Sequence, residues 1–164
     1  MSQVPNEAVD VKNREKPLIL VTDDQVTIIR ILTSMLKPDH DVCVATDGKR
    51  AIEVAMTQLP DLILLDNMMP GMTGVEACMA LKSEPTTSHI PIIFISSMGD
   101  KHNEQVGFKA GAVDYINKPP SAEIVRARIR VHLQYDRQRK FIADIAAGLI
   151  ADSDSLQKRA ADLL

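Results

Sequence analysis

Five short apolar runs, each followed by a stretch with helical spacing, constrain this chain more than any other feature. The first run is Leu18-Ile19-Leu20-Val21, and Val26, Ile29, Leu32, Met35 and Leu36 follow at helical intervals up to Pro38. Val42, Cys43 and Val44 form a second run, closed by the turn signal Asp47-Gly48. A second helical stretch carries Ala51, Ile52, Val54, Ala55 and Leu59 and stops before Pro60. Leu62 to Leu65, Ile90 to Ile95 and Val113 to Ile116 are the remaining strands. Between them Val75 to Leu81 and Val106 to Ala110 read as helices, the latter closing at Gly111. From Ser121 the pattern is strongly helical. Strands that are apolar throughout are covered on both faces, and alternation with helices predicts a doubly wound α/β fold with a five-stranded parallel sheet. In such a fold the ligand site lies at the carboxyl ends of the strands.

The length of 164 residues suits one domain with some extra chain. Apolar residues make up 45% and charged residues 25%, enough for one core. No apolar run approaches the roughly 18 residues of a membrane span, and no signal peptide opens the chain, so the expectation is a cytoplasmic protein with no membrane partner. Cys43 and Cys78 lack metal-ligand spacing and read as reduced small hydrophobes. A net charge of -3 with 3% aromatic residues argues against nucleic acid as the partner of this segment. Residues 1–16 are polar and aperiodic and read as a disordered tail.

The strand ends carry one chemical kit. Asp23 and Asp24 follow the first strand, Asp66 the third, Ser96 and Ser97 end the fourth, and Lys118 ends the fifth. Asp after a strand is commonly a helix cap, and a loop lysine is commonly solvated. Three carboxylates converging in a cleft, however, are unfavourable without a divalent cation, and all-oxygen ligands select Mg²⁺. Carboxylates, a hydroxyl and an ammonium together suit phosphoryl transfer onto a carboxylate.

At these positions the chain resembles the response-regulator receiver family. Leu64 to Gly74, with Asp66-Asn67-Met68-Met69-Pro70 at its centre, looks like the family's phosphoacceptor loop; Val21-Thr22-Asp23-Asp24 matches its acidic pair. Pro91 to Ser96 matches its switch strand, and Gly111 to Pro119 its last strand. The match runs from Lys16 to roughly His132. It implies strand order 2-1-3-4-5 and a receiver over 17–134. It also implies a phosphorylation-dependent switch of a two-component system, with Asp66 accepting a phosphoryl group from a histidine kinase or phosphotransfer protein. Asp24, Asp66 and the Met68 backbone carbonyl would hold Mg²⁺ directly, and Asp23 through water. Lys118 would offset phosphate charge, Ser96 would be the switch hydroxyl and Tyr115 its aromatic partner, acting on the face of helix 4, strand 5 and helix 5. A cis Lys118-Pro119 bond fits the family, whereas Pro120 replaces the usual aromatic. No substrate turnover beyond the chain's own phosphorylation and slow dephosphorylation is implied.

The positions two after the acceptor and two after the switch hydroxyl tune phosphate lifetime in the family. Here both are methionine, Met68 and Met98, which offer no group to orient an attacking water; slow dephosphorylation is the expectation. Asp114 and Arg128 match positions that pair across receiver dimers in some relatives.

Beyond the receiver, residues 135–164 read as a helical connector or dimerisation extension. An imperfect heptad runs through Ile124, Val131, Tyr135, Ile142, Ile145, Leu149, Leu156 and Leu163, with Arg128, Gln138, Asp152 and Arg159 spoiling the seam. Gly148 and Asp152 to Ser155 are the points where that helix could break. Ala127 to Tyr135 resembles the helix leaving receivers whose outputs make or degrade cyclic di-GMP, and no such output lies within these residues. Two other readings compete. A degenerate receiver would bind partners without phosphate, but the kit is intact. A haloacid-dehalogenase-type hydrolase needs an acid two residues after its nucleophile, where this chain has Met68.

Overall fold

The computed structural model of the chain describes residues 14–97, 101–148 and 152–163. These form two compact units that divide between Pro120 and Ser121. The first unit alternates β1 (Leu18–Thr22), α1 (Val26–Leu36), β2 (Asp41–Ala45), α2 (Gly48–Gln58), β3 (Leu62–Asp66), α3 (Gly74–Ser83), β4 (Ile92–Ser97), α4 (Lys101–Ala110) and β5 (Asp114–Lys118). All strands are parallel, in the order β2-β1-β3-β4-β5 that the resemblance implied.

Burial follows position in the sheet. Every residue of the interior strands β1 and β3 is buried, while the edge strand β2 leaves Asp41 and Val44 exposed. On one face Leu20, Ile63, Leu65 and Phe94 pack with Ala51 and Ala55 of α2 and Ala77, Cys78 and Leu81 of α3. Small side chains at these helix positions let the helix axes lie close to the sheet. The fourth strand starts later than the apolar run suggests. Ile90 is buried but Pro91 has no N–H for the ladder, so β4 begins at Ile92 and the Pro91 carbonyl accepts from the Ile63 amide. Leu59 ends α2 in the left-handed region (φ 46°), ahead of Pro60.

The expected tail over 1–16 lies largely outside the described residues. Of its last three residues, Arg14 donates to the carbonyls of Gln58 and Leu59 at the end of α2, and Lys16 donates to the Pro38 carbonyl. Both cysteines are free, and burial pushes their thiols up to about 11.

The second unit consists of α5 (Ala122–Ala146) and α6 (Ser153–Ala161). Along α5, Val125, Ile129 and Leu133 recur every four residues and are buried. Ile124, Val131, Tyr135, Ile142 and Ile145 form a different, exposed stripe. The heptad does not continue along one helix. Gly148 takes a left-handed conformation (φ 70°), and the Asp152 carboxylate caps α6 by accepting from the Ser155 amide at 2.7 Å. α6 turns back on α5: Arg159 pairs with Asp144 at 2.8 Å and lies 5.7 Å over the Phe141 ring, and Gln134 reaches the Leu163 carbonyl. Leu156 and Leu163 are therefore not on the helix that carries Ile142 and Ile145, and Leu149 lies outside the described residues. Among the described residues no helix is long and apolar enough to cross a membrane.

Candidate functional site

The parallel register brings the strand ends level. Thr22 pairs with Leu65, and Asp66 with Ile95, so Asp23 and Asp66 emerge side by side one step past the last β1–β3 pair. Lys118 closes β5 opposite Ser97. Its ammonium donates to Asp23 Oδ2 at 2.7 Å and to Asp66 Oδ1 at 3.1 Å. Both carboxylates are nearly inaccessible, at 1% and 3% of their maximal exposure, whereas Asp24 is exposed. Asp23 also accepts from the Gln25 amide at 2.9 Å, so both of its oxygens are engaged. The Lys118–Pro119 peptide bond is cis.

One oxygen from each of Asp23, Asp24 and Asp66 can be chosen so that all three lie within 4.8 Å of one another. Three carboxylates against one ammonium leave about two negative charges in the cleft, and burial makes that imbalance costly. Burial raises the Asp66 carboxyl above its ordinary value, and the Asp23 charge adds to this, while Lys118 and the Met68 backbone oppose it. For Lys118 burial pulls downward, yet the hydrogen bonds it donates to Asp23 and Asp66 outweigh it and the ammonium is held above its ordinary value. Such an all-oxygen, net-negative cluster fits a hard divalent cation of the Mg²⁺ type.

The hydroxyl and the aromatic ring lie on the neighbouring strands. Ser96 is buried one step beyond Asp66's partner Ile95, and Tyr115 pairs with Phe94 across β4 and β5. Met68, two residues after Asp66, is 70% exposed. Met98 lies outside the described residues, as do the side chains of 101–103.

Comparison with known proteins agrees with this geometry. Residues 19–130 match the family described as "Response regulator receiver domain". The chain belongs to that family. As a receiver domain it is a phosphorylation-dependent signalling module. It is 37% identical over 124 residues to a Vibrio cholerae protein named "Probable cyclic di-GMP phosphodiesterase", covering 76% of this chain and 28% of that one. To "Response regulator PleD" of Caulobacter vibrioides it is 41% identical over 113 residues, 68% of this chain and 25% of the other. The chain thus spans about a quarter of the length of these relatives. Among solved structures, the signal receiver domain of a modulated diguanylate cyclase from Desulfovibrio desulfuricans superposes with a TM-score of 0.68 at 26% identity. That match covers 76% of this chain and 99% of the other.

Several residues that shape the receiver's site were not singled out from the sequence. Gly74 opens α3 directly against Asp66: a Cβ there would lie 2.1 Å from the Asp66 carbonyl oxygen and 2.8 Å from Asn67 Cα. The Gly74 amide donates to the Asn67 carbonyl at 3.0 Å. Thr73 and Glu76 form a reciprocal capping box, with the Thr73 amide donating to Glu76 at 2.8 Å and the Glu76 amide to the Thr73 hydroxyl at 3.2 Å. The sequence signal for the box is Thr-x-x-Glu at the start of a helix. No local signal marks the close approach at Gly74, because the clash involves backbone folded back from eight residues earlier.

Proposed function

We propose that this chain is a switch of a two-component system in which Asp66 accepts a phosphoryl group from a sensor histidine kinase or a histidine phosphotransfer protein. The observation that carries the reading is the convergence of Asp66 with Asp23, Asp24 and the doubly hydrogen-bonded Lys118 at the strand ends. A carboxylate oxygen of Asp66 attacks the phosphorus while the P–N bond to the donor imidazole breaks, its electron pair leaving on nitrogen. Lys118 remains protonated and offsets the charge on the phosphoryl oxygens. Asp24, Asp66 and the Met68 backbone carbonyl would hold Mg²⁺ directly, with Asp23 holding it through water, and the cation would supply charge neutralisation for the transferring group. Ser96 is the switch hydroxyl, drawn to the new phosphoryl oxygens, and Tyr115 responds to its movement. The change shifts the populations of the face formed by α4, β5 and α5.

In this reading residues 1–16 are a tail, 17–134 the receiver and 135–164 a connector. The chain works in the cytoplasm and pairs with a second copy through the α4–β5–α5 face, with Asp114 and Arg128 contributing, or through the exposed stripe of α5. The output is synthesis or breakdown of cyclic di-GMP by a domain beyond these residues. The names of the Vibrio cholerae relative and of the Desulfovibrio desulfuricans structure support that choice.

The test is phosphoryl labelling from a small phosphoramidate donor with Mg²⁺, for the natural chain and Asp66→Ala. One label per natural chain and none on the variant is expected; label persisting on Asp66→Ala would refute the reading. Steady turnover of a phosphomonoester would favour a hydrolase instead. Molecular mass in solution with Mg²⁺, with and without beryllofluoride, reads out the dimer.

A further inference from the structure

Gly107 is buried in the interior of α4, where glycine weakens a helix relative to alanine. Its backbone is not left-handed, unlike that of Gly71, Gly111 and Gly148, so conformational freedom does not explain it. Space does. A Cβ at this position would lie 1.6 Å from the Tyr115 hydroxyl oxygen, 2.8 Å from Tyr115 Cζ and 2.9 Å from Phe94 Cε2. The phenol therefore seats in a notch that only a missing side chain leaves open. Two rings hold it there. Tyr115 stacks on Phe94 at 5.3 Å between centroids and 30° between planes, and meets Phe108 of α4 at 5.1 Å and 60°. One ring thus bridges β4, β5 and α4, and its hydroxyl end bears on the backbone of α4 itself.

We propose that Gly107 is a positioning residue of the switch: its bare backbone is the seat that accepts the Tyr115 ring and ties the ring's position to that of α4. The inference rests on the phosphoacceptor reading of Asp66 and names the contact through which that site reaches α4. By linkage, if the seated ring is favoured when Asp66 carries a phosphoryl group, whatever blocks the seat weakens binding of a phosphoryl mimic by the same factor. Any side chain at 107 blocks it. Alanine suffices, since its methyl would fall within bonding distance of the hydroxyl.

The experiment uses the full chain with 3-fluorotyrosine at its two tyrosines, the Tyr135 signal being assigned with Tyr135→Phe. Beryllofluoride is titrated in with Mg²⁺ while fluorine resonances are followed. Gly107→Ala is expected to weaken beryllofluoride binding roughly tenfold. In a Tyr115→Ala background the same change is expected to have no effect, because nothing then competes for the seat. An equal loss in both backgrounds, or no loss in either, overturns the proposal. Should Gly107→Ala fail to fold, the natural chain decides: the Tyr115 resonance must move with beryllofluoride while that of Tyr135 stays, and a Tyr115 signal that does not move overturns it. A natural chain that binds no beryllofluoride would instead bring down the Asp66 reading beneath it, an outcome distinct from binding without Tyr115 coupling.

Discussion

At the carboxyl edge of the sheet, two buried carboxylates share one ammonium; along α5 and α6, most charged side chains among the described residues are exposed, and the pairs Arg139–Asp136, Lys140–Asp136 and Arg159–Asp144 each have an exposed member. In the first region the two carboxylates stand at the ends of fully buried strands, and removing one charge leaves the others uncompensated. In the second, pairs such as Arg159–Asp144 join side chains that water already solvates, so their loss is cheap. Asp136 is the exception on the helical side, a buried carboxylate held by Arg139 at 2.9 Å and Lys140 at 2.6 Å. The difference teaches that the site is a place of preorganised charge imbalance, which favours a cation. The helices present a surface whose charges cost little to rearrange against a partner.

Substitutions can break this contrast or sharpen it. The largest effect is expected from Gly74→Ala, whose methyl must displace the backbone of Asp66 and Asn67; a loss of about 3 kcal/mol in chemical denaturation is expected. Unchanged stability would mean the loop yields readily. Lys118→Met should slow phosphorylation of Asp66 roughly 100-fold, read by label incorporation, because charge on the transferring group loses its neutralising partner. A rate equal to that of the natural chain would show that Lys118 serves only to compensate Asp23. Met68→Asn should speed loss of the phosphoryl group, since an amide over the site orients water where the thioether does not; decay of label at constant pH checks this.

On the helical side the expected effects shrink. Asp136→Asn should cost about 1 kcal/mol at neutral pH, discounted because Arg139 and Lys140 are half exposed. Burial pushes the Asp136 carboxyl up, but the hydrogen bonds from Lys140 and Arg139 prevail and hold it below its ordinary value. Its stabilisation is therefore complete above the ordinary carboxylate range and fades as the pH falls through the lowered value. The natural chain and Asp136→Asn should accordingly converge in acid; a constant gap down to pH 2 would count against the pairing. Arg159→Ala is the mildest, about 0.5 kcal/mol, and the difference should vanish in 1 M salt.

Much of the sheet side was legible because its information is local. Runs such as Leu62 to Leu65 declare buried strands, and a residue directly after such a run lies at the ligand edge by topology alone. Asp23, Asp24, Asp66 and Lys118 were found that way. What the chain order conceals is who touches whom across elements. That Lys118 lies nearer Asp23 than Asp66, that Gly74 lies against the Asp66 carbonyl, and that Gly107 leaves room for Tyr115 all depend on packing between distant segments. On the helical side the heptad misled at Leu156 and Leu163. A stripe of apolar spacing cannot register that Gly148 turns the chain, though the glycine and the Asp152 cap are visible in the sequence.

The contact at Gly74 has a mechanical consequence. The loop that carries Asp66 is clamped on its α3 side: backbone rests on backbone, the capping box fixes the helix end, and no soft side chain lies between to be compressed. With backbone against backbone, the place of the segment that carries Asp66 is tied directly to that of α3, with no adjustable side chain to take up a mismatch between them.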